Sequence, residues 1–250
     1  MPIAILSALP EEQQGLSQQL TQPTAISRAG RQLVQGLLHG QPVVLALSGI
    51  GKVAAATTAT VLIEHFGVQQ LVFTGVAGGV GPGVQVGDIV VAQHFLQHDM
   101  DVRPLFPRWQ VPGYAAPLFP CEAAMVQTLQ QAAQACAQHA AQWQEPLLAG
   151  HHPQVHTGLI ASGDQFIVSA QVSSQLQSAL QSAGWNALAV EMEGAAIAQV
   201  CADYGVPFAA VRTISDRADD SAHVDFPAFV TSVASRYAHR IVNCWLQGKA

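Results

Sequence analysis

The chain has 250 residues, half of them hydrophobic, and a net charge of −6 from ten basic and 16 acidic side chains. It can bury one sizeable core and contains no Pro/Ser-rich linker, so we expect residues 1–250 to form a single domain. The acidic balance without a basic stripe argues against a nucleic-acid partner, and no apolar run reaches the roughly 18–20 residues that cross a membrane, so we expect a cytoplasmic protein.

Taken in chain order, the apolar pattern predicts strands that alternate with helices. A buried strand over residues 3–9 leads into a helix that begins at Pro10, a residue that suits the first helical turn. A loop rich in proline and tryptophan covers residues 103–120. The other predicted strands are residues 42–47, 70–75, 87–91, 155–161, 187–190 and 206–216. The other predicted helices are residues 52–66, 122–144, 169–183 and 226–246, with one more helix that begins after Glu193.

Repeated units of strand, glycine turn and helix indicate an α/β fold. We expect a mainly parallel, twisted central sheet with helices on both faces, which makes three α/β/α layers. The strands are apolar along most of their length, as is typical of strands buried on both faces.

Acidic residues follow three of the predicted strands in a chain in which only 10% of the residues are charged. Glu11 and Glu12 follow the first strand, Glu191 and Glu193 follow a later one, and Asp216 ends the next. Ligands of parallel sheets bind at the carboxyl ends of strands, so these acids are well placed for chemistry. The alternative is that they only favour the positive N-terminus of a helix, an effect worth about 0.3–1 kcal/mol.

Glycine turns follow two of the strands, at residues 48–51 and 75–79. Neither has the Walker A pattern, and neither has GxGxxG followed by a ribose-binding acid, so a dinucleotide cofactor is not supported. The turns do let the backbone approach a small ligand closely. Their candidate ligand-binding residues are Ile50, Val76, Ala77 and Gly78.

The cysteines and histidines show no recognised metal-site spacing. Four cysteines lie far apart without a CxxC pair, so we expect reduced thiols at Cys121, Cys136, Cys201 and Cys244. Histidine-containing clusters at residues 98–101 and 151–156 lack a complete ligand set. We therefore expect no metal and no other cofactor, and we expect the 151–156 cluster to be an exposed loop.

Six short motifs stand in a fixed order along the chain. They are Ser-Gly-Ile-Gly-Lys at 48–52, Thr-Gly-Val-Ala-Gly-Gly at 74–79, Gly-Asp-Ile-Val-Val at 87–91, Ser-Gly-Asp-Gln-Phe-Ile at 162–167, Val-Glu-Met-Glu at 190–193 and Ile-Ser-Asp at 214–216. With these motifs and Glu11-Glu12, the chain resembles the nucleoside phosphorylase/nucleosidase superfamily from its first strand to its last helix. Within that superfamily it looks most like the 5′-methylthioadenosine/S-adenosylhomocysteine nucleosidases.

The resemblance implies hydrolysis of the N-glycosidic bond of a 5′-modified adenosine, which releases adenine and a thioribose. This reaction needs an acid that protonates the purine and a base that directs water to an oxocarbenium-like sugar. Asp216 is the candidate acid at adenine N7, and Glu12 is the candidate base. Glu193 is expected to accept hydrogen bonds from the ribose diol.

Other residues are expected to complete the substrate site. Met192 would pack against the sugar, Phe166 would stack on the base, and the Ile167 backbone would hydrogen-bond to the edge of the base. The alternative for these three residues is simple core packing. The remaining substrate-binding candidates, beside those of the glycine turns, are Glu191, Ser215, Phe226 and Leu105.

A phosphate-dependent phosphorylase of the same superfamily is the nearest alternative function. It would need cations at the phosphate, whereas the first loop here carries Glu11 and Glu12, which would repel phosphate. Arg28 and Arg31 keep this alternative open because they could reach the site of a neighbouring subunit. A non-catalytic nucleoside-binding domain is a second alternative, although retention of all three acids argues against it.

Three departures from the nucleosidase pattern leave the substrate open, one of which is a longer loop at residues 147–153. Val76 stands where these nucleosidases often have serine, and Leu9-Pro10 replaces a more usual Met-Glu. Another 6-aminopurine nucleoside, such as an aminodeoxyfutalosine or a deoxyadenosine, is therefore an alternative substrate.

The resemblance also implies a homodimer with each active site near the subunit interface. Residues 102–112 are rich in apolar and aromatic side chains, and their prolines disfavour a helix or a central strand. We expect Leu105 or Phe106 to border the 5′ end of the nucleoside in the other subunit, together with Phe226 of the subunit that carries the acids. The alternative is a loop that folds back on its own chain.

Overall fold

The computed structural model describes residues 2–143, 145–148, 150–219 and 226–248. Its strands are β1 (Ile3–Ser7), β2 (Thr21–Arg28), β3 (Arg31–Leu38), β4 (Gln41–Leu47), β5 (Gln70–Gly79), β6 (Ile89–Gln97), β7 (Leu118–Pro120), β8 (Val155–Ser162), β9 (Ala187–Glu191) and β10 (Phe208–Asp216). Its helices are α1 (Lys52–Phe66), α2 (Ala123–Ala140), α3 (Ala170–Ser182), α4 (Gly194–Tyr204), α5 (Phe226–Phe229) and α6 (Ser235–Gln247). Short 3₁₀ turns cover Pro10–Gln13, Ser17–Gln19 and Pro146–Leu148.

The strands of the described residues form one mixed sheet. The predicted α/β fold is confirmed, and the sheet is mixed instead of purely parallel. Strands β1, β4, β5 and β10 run in one direction, whereas β6, β8 and β9 run in the other. The direction changes because β5 and β6 are joined by a short turn instead of a crossover helix. Strand β5 pairs with both β9 and β10, so β5, β10, β6, β8 and β9 close into a ring.

A hairpin of β2 and β3 extends one edge of the sheet, in a region to which the sequence pattern assigns no element. Its two-residue turn consists of Ala29 and Gly30, with φ angles of 48° and 70°, and such turns need positive φ. Most of β2 is exposed. It therefore lacks the apolar alternation by which a half-buried strand is predicted.

The helix predicted to begin at Pro10 is a single 3₁₀ turn, so that prediction is wrong. The side chain of Glu12 turns back to accept hydrogen bonds from the backbone N–H groups of Ala8 and Leu9. Gly15 then adopts a φ of 87°, which ends the helical path.

The remaining predicted helices are present: the one predicted over residues 52–66 has the same ends, and the others are shifted or divided. The helix predicted over residues 122–144 spans Ala123–Ala140, and Glu122 caps it by accepting a hydrogen bond from the backbone N–H of Met125 at 2.8 Å; residue 144 lies outside the described residues. The helix predicted over residues 226–246 contains a π-helical turn, Val230–Ala234, between α5 and α6.

Helices cover both faces of the sheet. On β1, Ile3 and Ile5 pack into the cluster that includes α2 and α6, whereas Ala4 and Leu6 pack into the cluster that includes α1 and α4. This alternation buries the strand on both faces and accounts for its continuous apolar pattern. Within the described residues, no helix combines the length and the hydropathy needed to cross a membrane.

The four cysteines are unpaired, as expected. Burial raises the pKa of the Cys136 and Cys201 thiols to about 12. Both thiols therefore stay protonated and pack as small apolar side chains.

Candidate active site

A pocket of about 390 Å³ opens near the carboxyl ends of β5, β9 and β10, beside the turns that follow β1 and β4. Most of the predicted site residues line it: Glu12, Ile50, Val76, Ala77, Gly78, Phe166, Glu191, Met192, Glu193, Ser215, Asp216 and Phe226. Its remaining lining residues, which were not predicted, are Ala8, Leu9, Val190 and Pro227. The acids that follow three separate strands thus meet in one pocket.

Glu12 lies in the pocket wall with only 2% of its surface exposed. Its Oε2 accepts hydrogen bonds from the backbone N–H groups of Ala8 at 2.8 Å and Leu9 at 2.9 Å, and its Oε1 accepts one from Val76 at 3.0 Å. Burial raises the pKa of Glu12, while the charge of Arg212 and the three hydrogen bonds act in the opposite direction. Glu12 therefore caps its own turn and presents a fixed carboxylate to the pocket.

Both carboxylate oxygens of Glu191 accept hydrogen bonds from neighbouring groups. It accepts hydrogen bonds from the guanidinium of Arg212, from the hydroxyl of Ser162 and from the backbone N–H of Gly194. The backbone N–H of Glu193 adds a longer bond of 3.2 Å. With its oxygens occupied in this way, Glu191 fixes the positions of its neighbours.

Glu193 has more free capacity to bind a ligand. Its Oε1 accepts a hydrogen bond from the backbone N–H of Gly51 at 2.9 Å, and its Oε2 lies 3.5 Å from Nη2 of Arg212. Burial and the neighbouring charge of Glu191 raise the pKa of Glu193 to about 7, against the attraction of Arg212. The Glu193 carboxyl group therefore ionises less readily than an exposed glutamate.

Arg212 organises these acids from beneath the pocket, and the sequence analysis missed it. It is 1% exposed, its Nη1 donates to the carbonyl of Thr74 at 3.1 Å, and its guanidinium lies 3.6 Å from the centre of the Phe73 ring. Gly75 makes room for it, because a Cβ there would lie 2.6 Å from Oε1 of Glu12 and closer still to Arg212. A lone arginine within the apolar strand at residues 206–216 was the available signal.

Asp216 is the last residue of β10 and lines the pocket. Its Oδ2 accepts a hydrogen bond from the hydroxyl of Ser215 at 2.8 Å, and its Oδ1 accepts one from the backbone N–H of Ala218 at 2.8 Å. Burial raises its pKa, against these two hydrogen bonds. Gly78 allows the close approach, since a Cβ there would lie 2.9 Å from Oδ1 of Asp216.

Apolar and aromatic side chains form the pocket mouth. The rings of Phe166 and Phe226 meet edge to face with their centres 6.1 Å apart. Phe166 is 48% exposed and Ile50 is 58% exposed, more than core packing would leave. Ile167 is buried and lines a smaller recess that adjoins the pocket beside Phe166.

Leu105 is the predicted site residue that lies apart from the others. It is 81% exposed and does not line the pocket of its own chain. Part of the same loop does fold back, since Trp109 is buried, donates to the carbonyl of His98 at 3.0 Å and meets the ring of Trp185. The loop therefore has a buried end at Trp109 and an exposed apolar end at Leu105.

A network of polar groups joins the two turns at the pocket rim. The Asp164 carboxylate accepts a hydrogen bond from the backbone N–H of Lys52 at 2.7 Å. Asp99 completes the network, because it accepts the Lys52 ammonium at 2.7 Å and the backbone N–H of Asp164 at 2.9 Å. These contacts fix the turn at residues 48–52 against the loop at residues 163–168.

The histidine-containing clusters form no metal site in the parts of the chain that the structure describes, where no group of three or more His, Cys, Asp or Glu side chains could hold an ion. The 151–156 cluster is not the exposed loop that was expected. His151 and His156 are partly buried because each places Nε2 against the buried Asp88 carboxylate, at 2.7 Å and 2.8 Å.

Comparison with known families and proteins gives one consistent result. Residues 2–244 match the family model described as the phosphorylase superfamily. A 5′-methylthioadenosine/S-adenosylhomocysteine nucleosidase from Bacillus cereus strain G9842 is 36% identical over 243 residues, which are 97% of each chain.

Solved structures of similar proteins agree with this result. The nucleosidase of the same name from Neisseria meningitidis, in complex with methylthio-immucillin-A, has a TM-score of 0.86 at 31% identity and covers 99% of both chains. The enzyme from Colwellia psychrerythraea 34H, in complex with adenine, has a TM-score of 0.84 at 32% identity, covering 99% of this chain and 95% of that one.

Proposed function

Because this chain belongs to the phosphorylase superfamily, we propose from the chemistry of its pocket that it is an N-glycosyl hydrolase of 5′-modified adenosines. Its substrates are 5′-methylthioadenosine and S-adenosylhomocysteine, and its products are adenine and the 5′-modified ribose. The observation that carries the proposal is the meeting of Glu12, Glu193 and Asp216 in one largely apolar pocket.

The composition of the pocket favours water over phosphate as the second substrate. Among the described residues that line it, none is lysine, arginine or histidine. A phosphorylase needs cations that contact the phosphate dianion. Arg31 instead donates to the hydroxyl of Thr58 at 3.1 Å, and neither it nor Arg28 lines the pocket.

Asp216 is proposed as the general acid that protonates adenine at N7. Cleavage of the N-glycosidic bond needs a neutral purine leaving group, because the bond electrons move onto the base. Burial raises the pKa of Asp216, which favours the protonated form that can donate. Ser215 and Ala218 would hold the carboxyl group in a single orientation during this step.

Glu12 is proposed as the general base that orients water toward the sugar. Its three backbone donors fix its position, so little reorganisation is needed when it takes the proton of the attacking water. Burial raises the pKa of Glu12, and the positive charge of Arg212 opposes this shift, toward the ionised form that a base requires.

Glu193 and Met192 are proposed to hold the ribose. The free lone pairs of Glu193 suit the two hydroxyl donors of a diol. The neighbouring Met192 thioether would pack against the sugar carbons. Glu191 is proposed to contact the ligand little and to hold Glu193 and Arg212 in place.

Phe166, Phe226 and Ile167 are proposed to hold adenine. Phe166 is exposed at the pocket mouth and can stack on the base, while the backbone of Ile167 can hydrogen-bond to its edge. Ala77 and Gly78 would let the β5 backbone approach the ligand closely. Val76 and Ile50 would supply apolar contacts to the sugar and its 5′ group.

The proposal is tested by incubating the protein with 5′-methylthioadenosine, S-adenosylhomocysteine, aminodeoxyfutalosine, deoxyadenosine and adenosine, each with and without phosphate. We expect free adenine and a free 5′-thioribose from the first two substrates, at a rate that phosphate does not change. A ribose 1-phosphate as the main product would overturn the hydrolase proposal. Faster turnover of a nucleoside without a 5′-thio group would overturn the proposed substrate.

A homodimer is proposed because large apolar side chains remain exposed. Ile50 is 58% exposed at the pocket, Val53 on α1 is 79% exposed, and Leu105 on the separate loop of residues 102–112 is 81% exposed, and a partner subunit would cover such apolar surface. In the dimer Leu105 or Phe106 would border the 5′ group of the nucleoside in the partner's pocket. Light scattering tests this, and a monomer that is fully active at nanomolar concentration would contradict it.

The cytoplasm is proposed as the compartment of the protein. Its four unpaired cysteines support a reducing environment. Cell fractionation with an antibody against the chain tests the assignment, and recovery from an oxidising compartment would contradict it.

A further inference from the structure

A second cavity, of about 510 Å³, lies next to the turn that carries Glu12. It shares no lining residue with the active pocket. One wall is the segment that follows Glu12, and the other is the C-terminal helical region. The lining residues are Gln14, Gly15, Gln18, Trp143, Thr231, Ser235, Arg236, His239 and Arg240.

The basic side chains of this cavity come from one face of α6, and burial lowers the pKa of His239, so the two arginines carry the charge. Arg236, His239 and Arg240 are spaced at i, i+3 and i+4, so their side chains are neighbours on the helix surface. Arg236 already has partners, because its Nη1 lies 3.6 Å from the Glu145 carboxylate and its guanidinium stacks on the Trp143 ring at 3.8 Å. Its charge is therefore largely balanced.

Arg240 is different. Among the described residues it makes no hydrogen bond and no ion pair, and its Nε is buried without a partner. Arginine stays charged at every physiological pH. A buried donor on a permanent cation, next to an open cavity, leaves a positive charge that a ligand can balance.

We propose that this cavity binds a phosphate dianion, either as inorganic phosphate or as the phosphate group of a small phosphorylated metabolite. The planar fork of Arg240 matches phosphate oxygens in pairs. The amides of Gln14 and Gln18, on the facing wall, supply neutral donors. The cavity is larger than the active pocket, which leaves room for the rest of a phosphate ester.

A bound phosphate would connect two segments that reach the active pocket. Gln14 lies two residues after Glu12, and Thr231 donates its hydroxyl to the carbonyl of Pro227, which lines the active pocket, at 2.9 Å. An anion between Gln14 and Arg240 would tie the turn after β1 to the C-terminal helical region. The phosphate would act at a distance from the reacting bond, so the proposal is independent of phosphorolysis.

Titration calorimetry at low, constant ionic strength tests the site, with inorganic phosphate, ribose 5-phosphate and uncharged ribose as probes. We expect saturable binding of the first two and none of ribose. Tighter binding of ribose 5-phosphate would identify a phosphate ester as the ligand, and equal affinities would identify inorganic phosphate. Absence of saturable phosphate binding to the native protein would overturn the proposal.

Variants of the cavity residues test whether phosphate binds in this cavity. Arg240→Gln should weaken phosphate binding at least tenfold, and Arg103→Gln, which removes one exposed positive charge elsewhere, should leave it unchanged. Gln14→Glu introduces a repelling carboxylate at an exposed position and should give the same loss if Arg240→Gln does not fold. Binding that survives in both cavity variants would overturn the site, since phosphate would then bind elsewhere, such as in the active pocket.

Discussion

The Asp164 carboxylate accepts the backbone N–H of Lys52 at 2.7 Å, and this bond joins two walls of the active pocket. The residue before Lys52, Gly51, donates its own N–H to Glu193 at 2.9 Å. Two residues after Asp164, Phe166 forms the pocket mouth. A single hydrogen bond thus relates the position of the proposed ribose acceptor to that of the proposed base-stacking ring.

Asp164→Ala should therefore weaken substrate binding more than it slows chemistry. A hydrogen bond to a charged group contributes about 1.5–3 kcal/mol, so we expect KM to rise at least tenfold while kcat falls less. Asp164→Asn keeps an acceptor oxygen and should recover most of the loss. Steady-state kinetics on 5′-methylthioadenosine check this, and a fall in kcat at unchanged KM would show that Asp164 has a different role.

Asp216→Asn should lose several orders of magnitude in kcat while the protein folds normally. The amide can still accept the hydrogen bond from Ala218, but it cannot give a proton to the leaving base. Turnover of 5′-methylthioadenosine measures the loss in kcat, and a thermal melt of the same preparation shows whether the variant is folded. Near-normal turnover by a folded variant would remove Asp216 from the mechanism.

Glu12→Gln should stop turnover but permit nucleoside binding. The amide oxygen can accept the backbone hydrogen bonds from Ala8 and Leu9, whereas the amide cannot take a proton from water. Calorimetry with 5′-methylthioadenosine should give a dissociation constant within about tenfold of the native KM, a difference of about 1.4 kcal/mol. Unchanged turnover at saturation, with lost affinity, would mean that Glu12 binds substrate and is not the base.

The acids of the site were predictable because each follows an apolar strand in a chain with few charges. The rule that strand ends meet predicts that Glu12, Glu193 and Asp216 lie together, whereas the roles proposed for them follow from the family resemblance, because position alone does not distinguish Glu12 from an acid that stabilises a helix start. Arg212 was not predictable in this way, because its partner Glu191 lies 21 residues earlier and only the packing of β9 near β10 makes them neighbours. The role of Ser162 was hidden in the same way, because Glu191 lies 29 residues later in the chain.

The course of the sheet was less predictable than its elements. Periodicity finds a strand such as β5, but it does not reveal that residues 71–78 pair parallel with β10 while Gly78 and Gly79 also pair antiparallel with β9. Strand β2 was missed because it is largely exposed at an edge, where burial imposes no alternation. In both cases the strand's own residues do not determine the feature, because it depends on the strand that pairs with it.

Glu193→Gln should stabilise the protein at alkaline pH relative to the native chain. The pKa of Glu193 is raised from 4.5 to about 7, so its favourable contribution to stability is fully present below pH 4.5 and is lost as pH rises through about 7. The amide does not ionise, and at about 1.4 kcal/mol per pKa unit the variant should gain up to about 3 kcal/mol over the native chain between pH 5 and pH 8. Urea unfolding of the variant and the native chain at pH 5 and pH 8 measures this gain. A difference in unfolding free energy that is the same at both pH values would contradict the prediction.

Gly75→Ala should destabilise the protein because two constraints act at this position. The backbone has a φ of 152°, and an added Cβ would lie 2.6 Å from Oε1 of Glu12 and would also meet Arg212. Arg212 cannot move away easily, because it is 1% exposed and is held by Thr74 and Glu191. We expect a loss of about 2–4 kcal/mol in unfolding free energy, as for overpacked cores with backbone strain.

Gly30→Ala is the matched control for that loss. Its φ is 70°, yet nothing lies within 4 Å of an added Cβ, so it isolates the cost of the backbone conformation, which should be about 1 kcal/mol. Urea unfolding of the two variants then separates the cost of backbone strain from the cost of the steric clash. Because the added Cβ displaces Glu12 and Arg212 together, Gly75→Ala should also lose activity in whatever fraction remains folded, whereas Gly30→Ala should keep native turnover. Equal stability losses in the two variants would mean that the close packing of Arg212 and Glu12 against Gly75 is not needed to hold the acids in place.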